Sequence, residues 1–175
     1  MNNIFAIIFL FFVSTFFCFS QDSIKWHENR QHNLFIEYLG NAWLGGNITY
    51  DCSFPIAEKH KIAAGLGGIF IPIPDVTIYG IYPQLNYLYG KKHHLELGIG
   101  YSIFCQNSID SYGEGGTTVD TWIPIRIGYR YQRENGGFFW KIAFVPSYSN
   151  VYEDSFTFKP SGGVALGFTF RKRNK

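Results

Sequence analysis

The sequence predicts an all-β fold, an eight-stranded antiparallel up-and-down transmembrane β-barrel. Three observations carry that expectation. Between Phe35 and Phe170 apolar and polar side chains alternate in runs of about ten residues, the period of strands whose two faces meet different solvents. Short and long connections take turns between those runs. Past residue 19 no apolar run reaches the roughly 20 residues a membrane helix needs, although 46% of the chain is hydrophobic and 19% aromatic. A barrel reconciles these numbers, because half of every strand can be polar while the whole sits in lipid.

The chain opens with an almost unbroken apolar stretch from Ile4 to Phe19, followed by Ser20-Gln21-Asp22. This reads as a secretory signal peptide over residues 1–20, cleaved after Ser20 with Cys18 and Ser20 as the small residues before the cut. A polar lead-in over 21–33 precedes the barrel at 34–170, and a basic tail at 171–175 follows it. Export leaves Cys52 and Cys105. Both share the apolar parity of their strands, on strands that are not neighbours, so two free thiols are expected.

The strands are taken in order, with ends good to about 2–4 residues. The first, 34–43, places Glu37 and Asn41 on its polar face, and a tight turn near Leu44-Gly45 leads to 46–54, with Asn47, Thr49, Asp51 and Ser53. After the short link Ala57–Lys61 comes 62–71. A longer link leads to 78–89, which carries Gln84 and Asn86, and the turn Gly90–His93 leads to 94–105, with Glu96, Gly98, Gly100 and Ser102. The loop Gln106–Asp120 precedes 121–132, with Arg126, Gly128 and Arg130. The short link Arg133–Gly137 precedes 138–146, with Lys141. The last strand, 160–170, is the plainest. Val164, Leu166, Phe168 and Phe170 alternate there with Ala165, Gly167 and Thr169.

Charge and aromatic residues follow the same partition. The end with short turns collects Lys59, Lys61, Lys91, Lys92, Arg133, Arg171, Lys172, Arg173 and Lys175, against Glu58 and Glu134. The longer loops at the other end collect Asp75, Asp110, Glu114, Asp120, Glu153 and Asp154. Short periplasmic turns and longer outer loops are the pattern of outer-membrane barrels. Phe54, Tyr87, Tyr89, Tyr129, Tyr131, Phe138, Trp140, Phe168 and Phe170 share the apolar parity near the short-turn end, as an aromatic girdle at a lipid–water boundary would. Tyr79 and Phe158 fit an upper girdle, whereas Trp43 and Trp122 have the opposite parity.

On the polar face, Glu37, Asp51, Glu96, Arg130 and Lys141 are expected at one depth, with Arg126 stacked above. Three acids and three bases balance, and charges in a narrow interior must be paired. They read as a polar and ionic network filling the lumen, and the same residues allow a gate or solute path. No catalytic constellation emerges. His27, His32, His60, His93 and His94 lie in the lead-in or at the short turns, away from Ser108, Ser111, Ser147 and Ser149. The pair His93-His94 has no third ligand at metal spacing. Gly113-Glu114-Gly115-Gly116-Thr117 lacks the lysine and the strand–helix context of a phosphate loop. Asn47-Ile48-Thr49 is a glycosylation sequon inside a strand. No enzyme, metal or cofactor is expected, and a net charge of +2 gives no argument for nucleic acid. The acidic loops offer oxygen ligands for shared divalent cations, beside the simpler reading of a solvated surface.

Four stretches carry a resemblance: Phe35–Ala42 running into Asn47–Asp51, Leu85–Gly100, Ile125–Gln132, and Gly163–Phe170. With them the chain resembles the short outer-membrane β-barrel proteins of Bacteroidota, with an OmpA/OmpX-like eight-stranded architecture. The resemblance spans nearly the whole mature chain and is specific for architecture, with no catalytic residues to carry over. It implies an exported monomer in the outer membrane of a Gram-negative bacterium, in contact with outer-membrane lipid and lipopolysaccharide. The last strand resembles the C-terminal signal read by the barrel-assembly machinery, although Arg171-Lys172-Arg173-Asn174-Lys175 follows the terminal aromatic Phe170. The expected function is structural or surface interaction without catalysis. The alternatives are a narrow channel or binding barrel for a small, even apolar, solute, and a soluble lipocalin-like barrel with its apolar side inward.

Overall fold

The computed structural model describes residues 30–42, 45–74, 76–109, 115–149 and 157–171. The signal peptide, most of the lead-in, Trp43, Asp75, Asp110, Glu114, Glu153, Asp154 and the tail beyond Arg171 lie outside these residues, so those expectations are not addressed by it. The described strand segments are β1 (Gln31–Leu39), β2 (Gly46–Ala57), β3 (His60–Ile73), β4 (Val76–Tyr89), β5 (His93–Gly100), β6 (Ser102–Ile109), β7 (Gly115–Tyr131), β8 (Gly137–Phe144), β9 (Ser147–Ser149), β10 (Thr157–Lys159) and β11 (Gly162–Arg171). Three barrel strands are broken once each. β5 continues as β6 across Tyr101, β8 as β9 across Val145-Pro146, and β10 as β11 across Pro160-Ser161. Two of the three interruptions hold a proline, which cannot donate to the ladder.

Eight strands therefore form one antiparallel ring. β1 pairs β2, β2 pairs β3, β3 pairs β4, and β4 pairs both β5 and β6. Those two pair β7, which pairs β8 and β9. The circuit closes through β8–β11 and β11–β1, where Asn33 faces Thr169 and Glu37 faces Ala165. Closure leaves the paired parts of the wall without open edges, the liability of a flat sheet. Both described ends of the chain and the short turns 58–59, 90–92 and 132–136 share one end of the cylinder, here the terminal end.

Strand limits differ from the sequence reading at several places. β1 starts three residues before 34 and stops at Leu39, where a positive φ of 61° is followed by Gly40 at 69° and a 3-10 turn, Gly40–Ala42. Asn41 thus leaves the strand yet stays buried. β7 begins at Gly115 and uses much of the expected loop Gln106–Asp120. The last strand reaches back to Thr157. Trp122, of anomalous parity, points inward with Pro124 and Arg126, so it belongs to the interior and to no girdle.

The two faces are sharply different. Outward, Ile36, Ile48, Leu66, Ile81, Leu85, Leu97, Ile99, Ile127, Ile142, Val164 and Leu166 are exposed, as are Tyr79 and Phe158 toward the far end. Inward, polar and charged side chains are buried. This inverts the usual order of a water-soluble protein. Cys52 and Cys105 are free and half-buried on the outward parity.

Candidate functional site

The interior is the candidate site, and the alternation of each strand determines who enters it. Glu37, Asp51, Glu96, Arg126, Arg130 and Lys141 all point inward and all are 2% exposed or less. Arg126 on β7 reaches across to Glu37 on β1 in a two-pronged pair, Nη1 to Oε1 at 2.7 Å and Nη2 to Oε2 at 2.9 Å. Its Nε lies 3.9 Å from Oε1 of Glu96, which also accepts a hydrogen bond from Nζ of Lys141 at 3.5 Å. Arg130 grips Asp51 from β2, donating to Oδ2 at 3.0 Å and Oδ1 at 3.4 Å. Planar guanidinium against carboxylate is the geometry that best offsets the loss of water from both charges.

Their ion pairs link these six residues into two groups. Glu37, Arg126, Glu96 and Lys141 make one chain of ions, and Asp51 with Arg130 makes the other. Phe35 and Phe139 join them. The two rings meet edge to face at 5.6 Å between centroids, Lys141 Nζ lies 4.0 Å from the Phe35 ring centre, and Arg130 Cζ lies 4.6 Å from that of Phe139. A desolvated cation over an aromatic face gains from the ring quadrupole. Sequence reasoning missed these rings because hydrophobicity alone assigned aromatics to the outside. Their parity was the available signal: Phe35 shares it with Glu37, and Phe139 with Lys141.

Further residues complete the filling. Gln132 Nε2 donates to Asn33 Oδ1 at 2.8 Å and Thr169 Oγ1 at 3.1 Å, while Asn33 Nδ2 donates to Asp51 Oδ1 at 2.5 Å. Gln31 closes the terminal end, donating to the backbone oxygens of Arg133 at 3.1 Å and Glu134 at 2.9 Å. Lys61 points inward there and donates to Gln31 Oε1 at 3.2 Å. Toward the other end, Tyr82 bonds Thr49 at 2.5 Å and donates to Asn47, and Asn41 donates to Gln84 Oε1 at 2.7 Å. Beyond them the interior turns apolar, with Ile69 and Phe104 buried and Ile71 and Trp122 packed on them.

Two glycines make this packing possible. A Cβ on Gly40 would lie 2.6 Å from the Glu37 carboxyl carbon, and the left-handed φ of Gly40 also suits glycine. Gly167 sits in register between Phe35 and Phe139, where a Cβ would lie 2.4 Å from Phe35 Cβ.

One wall carries polar atoms that make no hydrogen bond among the described residues: Asn86 Nδ2 and Oδ1, Gln84 Nε2, both His94 ring nitrogens, Glu96 Oε2 and the Nε atoms of Arg126 and Arg130. Donors and acceptors are mixed, which suits water better than an ion of either sign. No group of three or more His, Cys, Asp or Glu arranged for a metal occurs among the described residues. The girdle residues Phe54, Tyr87, Tyr89, Tyr129, Tyr131, Phe138, Trp140, Phe168 and Phe170 all lie on the outward face near the terminal end.

No family model and no curated protein matches the sequence. Two solved structures are similar. The crystal structure of the N-terminal β-barrel domain of Pseudomonas aeruginosa OprF is 18% identical with a TM-score of 0.51, over 82% of this chain and 98% of that one. The crystal structure of Neisserial surface protein A (NspA) is 13% identical with a TM-score of 0.46, over 82% and 95%. The likeness to the OprF domain is one of fold. It agrees with the eight-stranded ring derived above from strand pairing.

Proposed function

We propose that this chain is a non-enzymatic barrel of the outer membrane, a scaffold with a plugged interior that holds its loops at the cell surface. The inverted arrangement of side chains carries the reading. An outward belt of leucine, isoleucine and phenylalanine needs an apolar solvent, and a closed barrel is the only sheet that satisfies every backbone group in one. Ion pairs run from β7 to β1 and from β7 to β2 through the cylinder axis, which argues against an open pore. Export by a cleaved signal, outer-membrane lipid and lipopolysaccharide as surroundings, insertion by the barrel-assembly machinery through the strand ending at Phe170, and a monomeric state complete the proposal. Bacteroidota remain the proposed source.

Planar-bilayer recording of the refolded chain tests it. A plugged scaffold gives no stable unitary current, and a steady conductance would overturn the plug. A second reading, capture or slow passage of a small apolar solute, draws on the apolar mouth at Ile69, Phe104 and Trp122. Saturable quenching of Trp122 fluorescence by such a solute would favour it.

A further inference from the structure

The outward face carries a repeat that the interior plug does not use. Three of the four hairpins that open at the terminal end carry a histidine as their first or second residue: His32 on β1, His60 on β3 and His93 on β5. Each histidine meets a tyrosine on the next barrel strand, lying diagonally across the ladder. Tyr50 stands opposite Leu34, Tyr87 opposite Ile62 and Tyr129 opposite Leu95. The ring spacing is nearly the same each time, with centroids 6.0, 5.9 and 6.0 Å apart. In all three the tyrosine hydroxyl is hydrogen-bonded to Nδ1 of the imidazole, at 2.5 Å for His32–Tyr50. Beside each histidine stands an exposed basic residue, Arg30, Lys59 or Lys92. Lys91, in the same turn as Lys92, is bound to Glu58.

The fourth hairpin provides the contrast. There Phe138 and Phe168 face each other in register, so a girdle can be built at this level from rings alone. When the tyrosine hydroxyl donates to Nδ1, the imidazole is fixed as the tautomer that carries its proton on Nε2. The Nε2–H is then a donor left over from the pair, with a basic residue one or two positions before the histidine in the chain, at the level of the aromatic girdle. An anionic acceptor set between hydrocarbon and water fits that arrangement.

We infer that the three His–Tyr pairs, His32–Tyr50, His60–Tyr87 and His93–Tyr129, are binding sites for the phosphodiester of phospholipid headgroups in the leaflet at the terminal end. The inference rests on the proposed membrane location and goes beyond it, since a plain aromatic girdle would show no headgroup preference. The test takes the full mature chain refolded into vesicles of phosphatidylglycerol mixed with a glucosyl diacylglycerol that lacks phosphate. Insertion is scored first, by protease protection. The lipid still held after detergent extraction is then counted by native mass spectrometry.

The expected result is retention of phosphatidylglycerol, one molecule per pair, without the glucolipid. The triple variant Y50F/Y87F/Y129F keeps every ring and should lose that retention. If it fails to insert, each single Tyr→Phe variant should lose one retained lipid. Equal retention of both lipids by the inserted wild type, or unchanged retention in the inserted variants, would overturn the sites. Displacement of the lipid by an equal concentration of inorganic phosphate would overturn the headgroup assignment in favour of a free-phosphate site. Failure of the wild type to insert would instead strike the membrane reading beneath it.

Discussion

Removing the Glu37 carboxylate leaves the Arg126 guanidinium buried with Glu96 as its remaining anionic neighbour, itself shared with Lys141. The expected cost of Glu37→Ala is about 3–5 kcal/mol, the range for breaking a buried pair from one side. Equilibrium urea unfolding in lipid vesicles measures it. The double variant Glu37→Leu with Arg126→Leu should recover most of that loss, because no unpaired charge remains. A double variant as unstable as the single one would mean that the pair is not the relevant interaction. Lys91 and Glu58 behave differently, although their 2.6 Å contact is as short. Hydrogen bonding and charge from Lys91 hold the Glu58 carboxyl below its usual range, so any contribution is present at neutral pH and fades as pH falls through that lowered range. Both groups stand in water, so Lys91→Ala should leave the unfolding midpoint where it is.

At the scale of strands, the row Phe35–Gly167–Phe139 shows how three neighbours share one interior slot. A methyl at Gly167 would meet Phe35 Cβ at 2.4 Å and the backbone oxygen of Leu34 at 2.6 Å, and backbone oxygen has nowhere to go. Gly167→Ala should destabilise the barrel by about 1–3 kcal/mol through overpacking, with the denaturant slope unchanged. The same row shows what could be read from the sequence. Parity fixed the faces of the strands, so Glu37, Asp51, Glu96, Arg126, Arg130 and Lys141 were legible as inward residues. The content of the inward face was not, because hydrophobicity cannot say that an aromatic belongs with the charges; Gly167 opposite it can. Strand ends were least legible. Leu39 turns into the left-handed region with no glycine of its own to announce it, and β7 extends to Gly115 through a stretch where Gly115, Gly116 and Asp120 offset the strand-forming Thr117, Thr118 and Val119. Which carboxylate meets which guanidinium depends on cylinder closure, a property of no single segment.

For the whole molecule the decisive question is which solvent the wall faces, and one barrel strand can answer it by depth. Ile99, on β5, faces outward between Leu85 and Ile125 in the middle of the apolar belt; Asn107, on β6, faces outward near the far rim. In a bilayer, arginine at the midplane costs about 2–4 kcal/mol and near the interface only about 0–1. Ile99→Arg should therefore lower stability in vesicles by the larger amount, and Asn107→Arg should change it little. A water-soluble barrel predicts no such gradient, since both positions are exposed and arginine is at home on a wet surface. Both variants add the same side chain to the same face of the same barrel strand, so the difference between them isolates depth. Equal costs at the two depths would remove the bilayer from the account, and with it the reason for placing ion pairs on the axis of the cylinder.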